Sequence, residues 1–204
     1  MDGKNKALEP LAEGCGIVMA GYAGDLGAAI LAKEKESELR ERFPAFLIRN
    51  ALAFRKDRIT EPLNRWFSDK EDAAMYRRKA GEGGVFKALW NLGETAGTGF
   101  TVDLKRIPIR QETVEICNEL AIDPYILLTG GVWLMLPERG EKLAAELERE
   151  GIPAAVIGWT HREKKRVVRY DEEERFIEPR RQDALLEVPG MKLPDPGESS
   201  GAEI

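Results

Sequence analysis

The sequence predicts an α/β protein built as one domain with tails, and three observations carry that reading. Gly16-Ile17-Val18-Met19-Ala20-Gly21 is a short apolar run of the kind a buried strand needs, and it opens into a helix through spaced glycines. Val132-Trp133-Leu134-Met135-Leu136, an amphipathic stretch over 138–150 and Ala154-Ala155-Val156-Ile157-Gly158 make a strand–helix–strand unit. Arg166-Val167-Val168-Arg169-Tyr170 and Arg175-Phe176-Ile177 read as antiparallel strands across a polar turn. The chain has 204 residues, 43% of them apolar. That fits a single core, since a domain typically holds roughly 100–200 residues.

Taken in order, residues 1–13 are a polar leader, 14–182 the folded domain and 183–204 a Pro/Gly-rich tail expected to be disordered. After the first strand, Gly21-Tyr22-Ala23-Gly24-Asp25-Leu26-Gly27 is a strand–turn–helix junction. Its spacing is not the dinucleotide fingerprint, which needs G-x-G-x-x-G. Mixed charges from Lys33 to Arg42 predict the solvated tail of that helix, with i,i+4 pairs, and Pro44 ends it. A helix over 45–55 follows, carrying Phe46, Leu47, Leu52 and Phe54. Thr60-Glu61-Pro62 predicts the next helix start, and the segment from Leu63 to Lys79 reads as helical, interrupted at Ser68-Asp69. A helix after Gly84 is closed by Gly97-Thr98-Gly99, and Phe100-Thr101-Val102-Asp103-Leu104 alternates as a strand. Ile107-Pro108-Ile109 is extended, because proline disfavours helix before it; Gln111 to Leu120 is a helix, and Asp123-Pro124 turns the chain.

The charge balance excludes some classes. With 33% charged residues and net −5, the chain lacks the basic surface of a general nucleic-acid binder. No apolar run approaches the ~20 residues that span a membrane. Met1-Asp2-Gly3-Lys4-Asn5-Lys6 has no signal-peptide core, so a cytoplasmic location is expected. The two cysteines are far apart: Cys117 sits at buried helical spacing, whereas Cys15, between two glycines, is placed to be exposed. With these and a single histidine, His161, read as a solvated turn residue, no metal site is expected.

The stretch with the most chemistry is Gly81-Glu82-Gly83-Gly84, feeding the helix that begins near Val85. A glycine turn at a helix start presents N–H groups and the positive end of the helix dipole to an anion. Arg77, Arg78 and Lys79 lie just upstream. These seven residues are the candidate phosphate site. In the alternative reading the glycines cap the helix, the basic run is solvated and Glu82 itself satisfies the dipole.

From about Gly16 to Gln182 the chain resembles the C-terminal domain of the AIR synthase-related superfamily. That group includes aminoimidazole ribonucleotide synthetase, selenophosphate synthetase and the hydrogenase-maturation carbamoyl dehydratase. The resemblance rests on Gly24-Asp25-Leu26-Gly27-Ala28-Ala29-Ile30-Leu31-Ala32, Gly81-Glu82-Gly83-Gly84-Val85-Phe86-Lys87-Ala88-Leu89 and Pro108-Ile109-Arg110-Gln111-Glu112-Thr113-Val114. Asp123-Pro124-Tyr125, Thr129-Gly130-Gly131 and the strand over 154–158 complete it, and the hydrogenase-maturation branch is the most similar. It implies a layered α/β/α domain, partly ferredoxin-like, with a mixed sheet. It also implies an N-terminal ATP-binding domain supplying most nucleotide and metal ligands, which is expected to be absent here.

Two departures bear on activity. The family commonly has a His-Asp-x-Thr-type run before its paired glycines, where this chain has Met75-Tyr76-Arg77-Arg78-Lys79-Ala80. The carbamoyl-dehydratase branch ends in a cysteine, and none follows Cys117. The expectation is a stand-alone module that binds a phosphate-bearing ligand or an ATP-binding partner and holds no cofactor alone, ATP and Mg²⁺ coming only with that partner. The alternatives are one half of a split ATP-dependent enzyme in metalloenzyme maturation, with Arg77, Arg78 and Lys79 holding phosphate charge, and a self-assembling structural remnant.

Overall fold

The computed structural model describes residues 13–54, 57–69, 75–178 and 182–194. Among these, seven strands form one sheet: β1 (Gly16–Ala20), β2 (Tyr76–Lys79), β3 (Gly99–Asp103), β4 (Trp133–Leu136), β5 (Ala154–His161), β6 (Arg166–Tyr170) and β7 (Glu173–Phe176). Their order is β2-β4-β1-β5-β3-β6-β7. Neighbours are antiparallel except β3 and β6, which run parallel. The sheet is therefore mixed, as the resemblance implies.

Helices α1 (Asp25–Glu34), α2 (Glu36–Arg40), α3 (Ala45–Leu52), α4 (Asp57–Asp69), α5 (Gly84–Ala96), α6 (Gln111–Glu119) and α7 (Gly140–Arg149) cover it in two layers. Side chains alternate across a strand, so a central strand feeds two cores. Ile17 and Met19 of β1 join one core with Leu31, Ile48, Leu89 and Ile116, from α1, α3, α5 and α6. Val18 and Ala20 join the other with Leu63 of α4 and Leu143 and Leu147 of α7. The cross-strand pairs agree, Val18 with Met135 on one face and Met19 with Leu134 on the other.

Several expectations change in detail. The charged segment after α1 is a separate short helix, broken at Lys35 and carrying the Arg40–Glu36 pair at 2.7 Å. Helix α4 starts before Thr60, so Pro62 lies inside it. Tyr76–Lys79 is a strand rather than the end of a helix, because its backbone pairs with the apolar strand β4, Tyr76 opposite Leu136 and Lys79 opposite Trp133. As an edge strand it keeps charged side chains, a pattern that resembles a solvated helix in sequence. Residues 70–74, read as part of that helix, lie outside the described residues.

The tail expectation is corrected as well. Asp183, Ala184, Leu185 and Val188 are buried, and Ala184–Glu187 forms a 3-10 turn. Met191 and Leu193 pack against the same core. The apolar Ala184-Leu185-Leu186 run supplies this anchorage within an otherwise polar, proline-rich stretch. Residues 195–204 lie outside the described residues. Among the described residues no helix is long and apolar enough to cross a membrane.

Candidate functional site

The glycine turn lies at the end of β2, where Gly83 and Gly84 both have positive φ, 77° and 64°. Such backbone suits glycine, and here it also permits a close approach. A Cβ on Gly84 would stand 2.5 Å from the carbonyl oxygen of Tyr125 and 2.8 Å from Ile126 backbone. The other glycine junction does the same from the opposite side, since a Cβ on Gly27 would stand 2.4 Å from Leu127. The segment from Tyr125 to Thr129 is thus held between the starts of α5 and α1. Its backbone is paired on both sides: Phe86 N donates to Tyr125 O at 3.1 Å, Gly27 N to Leu128 O at 2.8 Å and Thr129 N to Gly81 O at 3.1 Å. The Thr129 hydroxyl accepts from Gly24 N at 2.9 Å.

The N–H offered by sequence to an outside anion is already taken. Gly83 N donates to Asp183 Oδ2 at 2.6 Å, while Leu128 N and Leu185 N donate to Oδ1 at 3.0 and 2.9 Å. Asp183 is fully buried. Burial raises its pKa, and the three backbone donors oppose that rise. Gly84 N turns inward to Gly81 O at 3.0 Å. Glu82 is exposed and pairs with Lys87 at 3.1 Å. The cap at the start of α5 is therefore a carboxylate from the far end of the chain, which neither reading of the sequence contained. Asp183 had one signal in sequence: a lone acid directly before an apolar run, the pattern of a turn cap.

The basic run does not gather at the turn. Alternation along β2 sends Arg78 toward α5, where it donates to the Thr95 hydroxyl at 2.9 Å. The Arg77 guanidinium lies 4.3 Å above the Phe67 ring and 5.8 Å from the Trp133 ring centre. Lys79 stands opposite Trp133 on the exposed edge.

A second buried acid sits at the start of α1. Asp25 accepts from the Thr113 hydroxyl of α6 at 3.1 Å and lies 3.9 Å from Arg110. Burial outweighs both and raises its pKa to about 7. In the sequence Asp25 belongs only to a packing junction; its burial becomes visible once α1 and α6 are side by side. Cys15 is buried, its thiol donating to Pro137 O at 3.0 Å, which corrects the expectation of exposure. Cys117 is buried as expected, and its thiol is pushed up to about 12. His161 ends β5, its Nδ1 2.7 Å from Glu163 O, rather than lying in the turn beyond.

The fold and this junction define a layered α/β/α domain whose two glycine turns clasp a buried segment, the Gly83 turn binding a carboxylate of its own chain. The family model for the AIR synthase related protein, C-terminal domain, matches residues 12–171, and the chain belongs to that family. It is similar to the carbamoyl dehydratase HypE of Rhodobacter capsulatus, 30% identical over 165 residues, covering 76% of this chain and 44% of that protein. The solved structure of E. coli HypE superposes with TM-score 0.69 at 20% identity, over 88% of this chain and 54% of that one. HypE in a HypE–HypF complex superposes with TM-score 0.61 at 21% identity, over 83% and 54%. At those identities the structures show the fold alone. The chain spans about half the length of these relatives.

Proposed function

We propose that this chain is a binding module of metalloenzyme maturation, hydrogenase-maturation-like, that docks on an ATP-binding half carried by a partner and performs no phosphoryl chemistry alone. The observation that carries this reading is the occupation of the glycine turn. Phosphoryl transfer needs positioned donors and metal-held charge around the phosphates. Here the Gly83 donor is committed to Asp183, and Arg77, Arg78 and Lys79 are spread along a sheet edge. The glycines fit a second role, the close passage of the Tyr125–Thr129 backbone. Similarity to HypE of Rhodobacter capsulatus supports the maturation setting.

The test is ADP formation by the purified chain with Mg²⁺ and ATP. The expected result is no turnover above background. Protein-dependent ADP formation, abolished by bulky residues at Gly83 and Gly84, overturns the module reading in favour of an enzyme. The split-enzyme reading draws on one observation, the match to only about half of each relative. It differs from the module by predicting turnover when the ATP-binding half is added.

A further inference from the structure

Among the described residues the sheet ends on β2 at one side and on β7 at the other, and the two edges carry opposite charge. β2 presents Arg77, Arg78 and Lys79, all exposed. The hairpin into β7 presents Asp171, Glu172, Glu173 and Glu174, all exposed as well, with Arg175 following. Charges on an edge strand ordinarily keep sheets apart, because two copies of one edge repel. That protection covers β2 against β2 and β7 against β7. It does not cover β2 against β7, where the charges attract.

The strand directions suit such a meeting. From β2 to β7 there are six neighbour steps, five antiparallel and one parallel, so the two edges run in opposite directions. A second copy in the same orientation therefore sets its β7 antiparallel to β2 of the first, with like faces of the sheet continuous. The backbone is in phase too. Ala80 N donates to Val132 O at 2.9 Å, so Arg77 and Lys79 turn their N–H and C=O groups away from β4 to the open edge. Ile177 N donates to Arg166 O at 2.9 Å, so Glu174 and Phe176 turn theirs away from β6. Side chains agree as well. Arg77 lies on the α4 side of the sheet, over Phe67. Val168 enters the opposite core, so its neighbour Arg169 and that residue's partner Glu174 also look to the α4 side.

We propose that β2 of one copy of this chain pairs with the β7 edge of a second copy, extending the sheet head to tail. The charges select the register: Arg77 opposite Glu174, Arg78 opposite Glu173, and Lys79 facing Glu172 at the turn. A slip by one residue puts the backbone groups out of phase, and a slip by two toward Phe176 sets Arg78 against Arg175. Because the two edges differ, each added copy leaves one basic and one acidic edge free, and the assembly stays open.

The test is sedimentation velocity of the full chain over a range of concentrations. In low salt, species larger than a dimer are expected to grow with concentration. In about 1 M salt, where the screening length is ~3 Å, they are expected to fall apart. Two charge-reversed variants carry the specificity: Arg77→Glu with Lys79→Glu, and Glu172→Lys with Glu174→Lys. Melting curves check that both fold; Arg77→Glu and Glu174→Lys alone replace a pair that does not. Each variant by itself is expected to associate at least about tenfold more weakly than the unaltered chain. Their equimolar mixture is expected to associate again, since each reversed edge then meets its opposite. A chain that stays monomeric in low salt overturns the proposal. So does a closed dimer that does not grow, association that neither reversal weakens, or a mixture no stronger than its parts.

Discussion

Gly81 and Gly84 lie in one turn, yet they answer to different constraints. Gly84 needs its φ of 64° and has backbone where a Cβ would go, whereas Gly81 has nothing within 4 Å. Gly84→Ala is expected to cost about 2 kcal/mol or more, from left-handed backbone strain and the clash with Tyr125, while Gly81→Ala stays near neutral. Thermal melts of the two variants check this, and equal melting temperatures would count against the clasp. Asp183→Ala leaves three buried donors without their acceptor and is expected to lower stability by about 3 kcal/mol. Asp25 makes a pH prediction. Its folded pKa is raised to about 7 from 3.8, so between those values the folded state holds a proton that the unfolded state has released. Stability therefore falls as pH rises through that window and levels off above it. Asp183, also raised, acts in the same direction. Asp25→Asn removes its share, so the variant should gain on the unaltered chain from about pH 4 to about pH 7. A stability difference that is flat across this range would show that Asp25 ionises freely in the fold.

Elements with their own periodicity were legible. The strands β1, β4 and β5 are apolar runs because both faces are covered, and α7 shows its inward Leu143, Ala144 and Leu147 in sequence. Elements defined by distant partners were not. Tyr76–Lys79 is a strand only because β4 offers it a ladder, and Asp183–Val188 is ordered only because the α5 turn and the main core receive it. This distinction has a measurable consequence in two truncations. Stopping after Val188 keeps Asp183, Ala184, Leu185 and Val188 in place. Stopping after Gln182 also removes the carboxylate cap and the buried Leu185 and Val188, each of which contributes about 1.5–3 kcal/mol by burial. The shorter chain should melt far below the longer one. Similar melting temperatures would mean that the 183–188 segment contributes little.

For the whole molecule, sequence resemblance identified the family and the layered mixed sheet, and the seven-residue candidate site was drawn from local composition. Its glycines do meet at one junction, but Arg78 parts from Arg77 and Lys79 because neighbouring residues of a strand face opposite ways. The decisive acid, Asp183, comes from 100 residues away, a pairing that spacing cannot express. A turn that already binds this chain's own carboxylate should be closed to phosphate. The deciding experiment follows the backbone amides of Gly83 and Gly84 while the full chain is titrated with inorganic phosphate and then ATP. Both amides are expected to stay unmoved at millimolar ligand. Saturable movement of both, with the hydrogen bonds to Asp183 breaking as ligand is added, would contradict the closed turn.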